Sequence, residues 1–334
     1  MAIHVVLGIE TSCDETSCAL VLNGREVLSN IVSSQDAVHA PYGGIVPELA
    51  SRSHIEKIHS IVEEALKKAN LSLREVDGIS VTSGPGLLGS LLVGLSYAKA
   101  LAYAVKLPFC GVNHLEAHLH SIFLEKPLAY PFIGLLVSGG HTALYDVCGV
   151  GEYSILGKTR DDAAGEAFDK VAKILGLGYP GGRKIDELSK LGNPSAISFP
   201  RSFLEEKIFD FSFSGLKTSV LNHVMRLDHA LTDQEIYDTS ASFQEAVVET
   251  VVTQSLKALR AKNYTRLVIA GGVAANSRLR STFETVGRKQ DTEVFFPSLK
   301  LCTDNAAMVA ALGYQYLSLG RRDSWDLGAF ASGR

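Results

Sequence analysis

The sequence has no excess of positive charge: its 334 residues carry 32 Lys and Arg against 36 Asp and Glu, a net charge of −4. Affinity for nucleic acid phosphates needs clustered Lys and Arg, so any such binding must rely on local patches or partner proteins. Paired cysteines are also missing. The five present (Cys13, Cys18, Cys110, Cys148 and Cys302) are odd in number and widely scattered. That pattern excludes a disulfide framework and fits reduced thiols in a cytoplasmic protein. No segment is of low complexity, and no secretory leader is expected, because "IHVVLGIE" already reads as a buried strand. The longest apolar run, "LLGSLLVGLSYAKALAYAVKL" (87–107), contains Lys99 and many small residues. It reads as a helix packed between layers and not as a membrane span. No Walker A loop occurs.

What remains is the composition of an ordinary α/β protein, 46% hydrophobic with 30 glycines, on a chain long enough for two lobes. "HVVLGIE", "CALVLNG" and "EVLSNIVSS" read as strands, with a turn at Asn23-Gly24. An amphipathic helix is expected from about Ser53 to Ala69, with Ile55, Ile58, Ile61, Val62 and Leu66 on one side. "GISVTSG", a Gly-Pro-Gly turn, the apolar helix and "FCGVN" follow. The pattern then restarts: "FIGLLVSGGHTALYDVCG" repeats the first hairpin, and "RLVIAGGVAAN" repeats "GISVTSGPGLLGS". We therefore expect two duplicated lobes, 1–130 and 131–303, the second carrying a helical insertion over about 155–235. A last helix, about 304–319, is expected to pack back on the first lobe.

The stretch "GVNHLEAHLHSIF" puts His114 and His118 four residues apart. On a helix such positions differ by about 40° in azimuth, so the two imidazoles share a face. Glu116 falls about 200° away, and His120 is off the shared face as well. HExxH peptidases need the glutamate next to the first histidine, as base for metal-bound water, so a peptidase reading fits poorly. Asn113 is placed to cap this helix. Far along the chain, "LCTDNAAMVAALG" sets Asp304 at the mouth of an apolar helix, where a carboxylate can cap, ligate or do both. Two histidines and one carboxylate suit zinc or ferrous iron and leave positions open.

Four glycine turns flank regular elements: "SGPGLLGS", "VSGGH", "GYPGG" and "AGGVAAN". Three fall in the second lobe, which points to a nucleotide or other phosphorylated ligand there. Acidic residues gather in "ETSCDET" (Glu10, Asp14 and Glu15, with Ser12) and in "DDAAGEAFDK" (Asp161, Asp162, Glu166 and Asp169). "FSFSGLKTS" offers no chemical argument of its own.

Together "GIETSCDET", "YGGIVPELASRSH", "SGPGLLGSLLVG", "NHLEAHL", "LLVSGGHT", "DDAAGEAFDK", "YPGG", "FSFSGLKT", "GGVAAN" and "CTDNAAM" resemble the TsaD family of tRNA threonylcarbamoyladenosine transferases, in its bacterial form, across essentially the whole chain. The resemblance implies the actin/sugar-kinase/Hsp70-like ATPase fold. It implies transfer of a threonylcarbamoyl group from threonylcarbamoyl-adenylate to N6 of adenosine 37 in tRNAs that read ANN codons. It assigns one divalent metal, Fe(II) before Zn(II), to His114, His118 and Asp304. It places the nucleotide, ATP or the adenylate, on Leu136, Val137, Ser138, Gly139 and Gly140, with Asp169, Gly182, Asp186 and Asn276. Ser12 matches a position near metal and acyl group, and Asp14 and Glu15 match acidic residues implicated in activity. The implied partners are tRNA, TsaB, TsaE and a TsaC-type synthase, in the cytoplasm and away from membranes. Ala117 stands where the family usually has glycine, which leaves the helix undisturbed. A sugar kinase or chaperone-like ATPase of the same fold would leave the two histidines without work. A non-catalytic scaffold would leave the second-lobe glycine loops unexplained.

Overall fold

The computed structural model describes residues 3–202 and 208–331; residues 203–207 of the expected insertion lie outside them. In chain order the elements are β1 (Val5–Glu10), β2 (Glu15–Leu22), β3 (Glu26–Ser34), α1 (Asp36–His39), α2 (Pro47–Ala69), β4 (Gly78–Gly84), α3 (Leu88–Val105), β5 (Phe109–Asn113) and α4 (His114–His120). Then come β6 (Phe132–Val137), β7 (Thr142–Gly149), β8 (Glu152–Lys158), α5 (Ala164–Ile174), α6 (Gly181–Ser189), α7 (Ser214–Met225), α8 (Asp233–Lys262), β9 (Arg266–Ala270), α9 (Ser277–Lys289) and β10 (Glu293–Phe295). The chain closes with α10 (Leu299–Cys302) and α11 (Ala306–Ser318).

Two compact units form. The first lobe is Met1–Leu128 with Pro297–Arg334, and the second is Ala129–Phe296. The segment from Pro297 to Cys302 therefore joins the first lobe, where the Ser298 amide donates to Glu125 Oε2 at 2.8 Å. The first sheet runs β3-β2-β1-β4-β5 and the second β8-β7-β6-β9-β10. In each, a central strand has an antiparallel hairpin partner on one side and a parallel crossover strand on the other. The lobes are duplicates in topology, as the repeated sequence pattern implies.

Local chemistry explains these elements. β1 is buried along its whole length between helical layers, so it reads as one continuous apolar run. β8 is mostly exposed, and its polar sequence hides an edge strand inside the segment expected to be helical from residue 155. The helices of that segment start only at Ala164. α2 begins at Pro47, six residues before the apolar periodicity suggests, because proline suits the first helical turn. Ile58, Ile61 and Val62 are buried, whereas Ile55 is 65% exposed. α3 is long and apolar enough to cross a membrane, with a mean hydropathy of 1.4. Its buried residues, Leu91, Leu95, Ala98 and Ala102, instead line the first-lobe core beneath β4.

α11 lies flush on β1 and β4. A Cβ on Gly8 would sit 2.5 Å from the Ala306 carbonyl oxygen, and one on Gly313 would collide with Ser80. Only glycine permits so close an approach, which brings the start of α11 beside α4.

Candidate metal centre and nucleotide loops

β5 runs straight into α4. The Asn113 Oδ1 accepts from the Leu115 and Glu116 amides at 2.9 and 3.3 Å, so it caps the helix as expected. That cap sets the register that turns His114 and His118 to one side. Their rings meet edge to face, with centroids 4.6 Å apart. Asp304 reaches them from beyond the start of α11. It does not cap that helix; Asn305 does, accepting from the Met308 amide at 3.1 Å. The Asp304 carboxylate is thereby left to the histidines. Its Oδ1 lies 3.0 Å from His118 Nε2 and 3.7 Å from His114 Nε2.

The donor set fits a metal. One ligand atom from each of the three residues lies within 4.8 Å of the others. Donors about 2.0–2.2 Å from one tetrahedral centre stand roughly 3.4 Å apart, close to the spacings seen here. Both histidines are buried, and Asp304 is half-buried. Burial disfavours a charged His114 ring, but Glu10 and Asp304 outweigh it and push the ring up to about 9. Ligation needs a neutral imidazole, so a cation competes with protons at this ring.

The loop after β1 reaches the trio at His114. Ser12 is buried, and its hydroxyl lies 3.2 Å from His114 Nδ1, the nitrogen turned away from Asp304. Asp14, on the same loop, and Glu15, the first residue of β2, are half-buried. Burial, then Asp304 and Asp14, hold the Glu15 carboxyl well above the usual carboxylate range. Behind the loop, buried His54 pairs with Thr16 Oγ1 at 2.8 Å and with the Cys13 carbonyl at 3.0 Å. Glu116 takes no part. It accepts a hydrogen bond from the Tyr316 hydroxyl, away from the trio, as its azimuth predicts. His120 is buried against Phe123.

By sequence, Glu10 belongs to an acidic turn. It is fully buried and bonds to the far side of His114, with Nδ1 to Oε2 at 3.0 Å. A carboxylate ending an otherwise apolar buried strand was the signal available.

The second lobe gathers its glycine turns at the ends of β6 and β9. A Cβ on Gly165, in the first turn of α5, would sit 2.6 Å from the Ser138 carbonyl oxygen, and one on Gly271 would collide with Val137, so α5 and the turn after β9 both close on Val137 and Ser138. The Gly181 amide donates to Asp169 Oδ1 at 2.7 Å. Asp186 accepts from the Ser277 hydroxyl at 2.8 Å. Asn276 caps α9 through the Leu279 amide and donates to Gln244 at 2.6 Å. Side chains could be added at Gly139, Gly140 and Gly272 without meeting any atom within 4 Å, and at Gly182 only Phe168 comes that near, at 3.9 Å. Exposed backbone at the carboxyl ends of parallel strands, beside helix N-termini, is the setting in which anionic ligands bind. "FSFSGLKTS" acquires a role here too. Asp161 accepts from the Phe213 and Ser214 amides at the start of α7, and Asp162 pairs with Lys170 and Lys217 at 2.7 and 2.8 Å.

Two lobes of one topology, one holding a His, His, Asp trio and the other open glycine turns, define a member of the actin/sugar-kinase/Hsp70-like class. Solved structures agree on that fold. The chain is similar to full-length HypF in its phosphate- and nucleotide-bound form, with a TM-score of 0.64 at 16% identity over 96% of this chain and 47% of that one. It is also similar to the activator of the 2-hydroxyisocaproyl-CoA dehydratase from Clostridium difficile, with a TM-score of 0.53 at 14% identity over 95% and 97%. The chain belongs to the TsaD family, tRNA N6-adenosine threonylcarbamoyltransferase, whose model matches residues 26–311. Proteins of that name from Trichlorobacter lovleyi and Clostridioides difficile are 54% and 53% identical to it. The matches cover 98% and 97% of this chain and 96% of each relative.

Proposed function

We propose that this protein transfers a threonylcarbamoyl group from threonylcarbamoyl-adenylate to N6 of adenosine 37 in tRNAs that read ANN codons. The observation that carries this is the convergence of His114, His118 and Asp304 in a chain of the TsaD family. An exocyclic adenine amine is a weak nucleophile, because its lone pair is delocalised into the ring. The acyl donor is already activated, so the protein's work is orientation and charge stabilisation. When bound, a divalent metal, Fe(II) first and Zn(II) second, supplies Lewis acidity toward the acyl group. His114, His118 and Asp304 hold it. Ser12, with its hydroxyl beside His114, orients the acyl end. Asp14 on that loop, or Glu15 at the start of β2, accepts the amine proton. Leu136 to Gly140, with Asp169, Gly182, Asp186 and Asn276, hold the nucleotide, and the open positions at Gly139, Gly140 and Gly182 support this. TsaB, TsaE and a TsaC-type synthase supply the adenylate and assist tRNA binding in the cytoplasm, since the chain's own net charge is negative.

The test combines the purified chain and those partners with threonine, bicarbonate, ATP and unmodified tRNA, followed by mass spectrometry of nucleosides. Threonylcarbamoyladenosine at position 37 that depends on this chain is expected. Its absence with every partner active would overturn the proposal. Full transfer by both Asp14→Ala and Glu15→Ala would remove the proton-acceptor role alone.

A further inference from the structure

We propose that Glu10 is a positioning residue for the metal centre, holding the His114 ring so that its Nε2 faces the shared centre. The proposal rests on the reading of His114, His118 and Asp304 as ligands. Glu10 ends β1 and has no solvent exposure. A carboxylate that is buried this completely needs hydrogen-bond donors around it, and three are in place. Oε1 accepts from the Ser12 amide at 2.5 Å. Oε2 accepts from the Thr82 hydroxyl at 2.6 Å and lies 3.0 Å from His114 Nδ1. One side chain thus ties together the ends of β1, β4 and β5 and the loop that carries Ser12.

The chemistry of these partners is restrictive. An amide N–H can only donate, so Oε1 must accept. The Nδ1 of a histidine that binds metal through Nε2 carries the ring proton, so Oε2 must accept as well. A carboxylate meets both demands. A glutamine cannot, because its single oxygen serves one side and its NH2 then faces a donor on the other. Metal-bound imidazoles that give their second nitrogen to a carboxylate gain a fixed tautomer and ring orientation, and loss of that partner typically weakens metal binding about 10- to 100-fold. The two histidines differ in this respect. His114 Nδ1 has Glu10, whereas His118 Nδ1 is buried with no hydrogen-bond partner among the described residues. The orienting device thus serves one ligand of the pair.

The experiment uses the full chain loaded with Co(II) or Zn(II), titrated against a chromophoric chelator, with the Co(II) visible spectrum as a second readout. Glu10→Gln is expected to keep its fold by circular dichroism, to bind metal about 10- to 100-fold more weakly and to show an altered Co(II) spectrum. Glu10→Asp keeps the charge but shortens the reach to His114, and should weaken binding in the same direction if the glutamine variant does not fold. Wild-type affinity and spectrum in either folded variant overturn the proposal. His118→Ala is the control for the underlying reading. If it binds metal as the wild type does, the ligand trio itself fails, a result distinct from an unaffected Glu10 variant.

Discussion

The two sheets share one strand order, yet their glycine turns are put to opposite use. After β4, the first-lobe turn is filled by the protein itself. Gly84 is covered by Phe330, and a Cβ on Gly86 would sit 2.5 Å from the Ser12 carbonyl oxygen. That packing helps set the backbone of the loop beside His114. After β6 and β9, the second-lobe turns leave Gly139, Gly140 and Gly272 with open space where a side chain would be. Duplication thus fixes where turns fall, while residue chemistry decides whether a turn is packed by side chains or leaves its backbone open.

The sharpest break of this comparison removes one lobe's chemistry and leaves the other's. His118→Ala takes away the imidazole nearest Asp304, which the proposed function makes a metal ligand. It should abolish stoichiometric metal binding and lower transfer at least about 100-fold, since the polarising group is lost. Nucleotide affinity, measured by calorimetry with the adenylate or ATP, should stay within about threefold, because the open turns belong to the second lobe. A parallel loss of nucleotide binding would mean that the two lobes do not divide the work.

The second effect is of intermediate size and falls on a different property in each lobe. Gly86→Ala drives a methyl group into Ser12, and such overpacking costs about 1–3 kcal/mol of stability. Gly139→Ala meets nothing, so thermal stability should be nearly unchanged while nucleotide affinity falls, about tenfold if backbone approach matters there. Thermal melts and ligand titration on the two variants check both halves. If Gly86→Ala proves harmless, or Gly139→Ala leaves affinity intact, the contrast between filled and open turns does not hold.

Much of this arrangement was legible in the sequence, and the remainder had a common cause. The spacing of His114 and His118, the Asn113 cap and the misplaced Glu116 are local features, fixed by helix geometry. The lobes were legible because strand, turn and helix signals recur in the same order. Asp304 could not be joined to the histidines by pattern, because its approach depends on α11 lying flush over Gly8 and Gly313. Glu10 was grouped with an acidic turn, since only the fold reveals that its partners come from Ser12, Thr82 and His114. Ile55 shows the converse: it has the right periodicity for burial, yet it is 65% exposed. The segment after α11 carried no periodic signal. It is held by tertiary bonds, the Asp323 carboxylate accepting from the Gly111 amide and Lys99 donating to the Trp325 and Leu327 carbonyls.

The smallest effect separates the lobes by pH. In the first, burial holds the His54 ring below its ordinary 6.5, despite the Cys13 carbonyl and the charges of Glu10 and Asp14, with Lys57 acting in the same sense as burial. The unfolded chain therefore takes up this proton at higher pH than the folded one. The stability contributed by neutral His54 is complete above about 6.5 and is lost as pH falls from there through the folded value. In the second lobe, burial raises Asp162, but Lys170 and Lys217 hold it net below 3.8; Asp161 is likewise held low by Ser212, Phe213 and Ser214 against burial. Their contribution is complete above 3.8 and is lost only on further acidification. Glu15 in this segment is held high and acts in the opposite sense, so hydrogen exchange, corrected for intrinsic rates, should show residues 13–16 opening more readily on going from pH 7 to pH 5 in the wild type than in His54→Asn, while residues 212–217 do not change. Simultaneous loosening of both segments across that interval would rule out His54 as the cause, and His54→Asn should then leave the pH dependence of the loop intact.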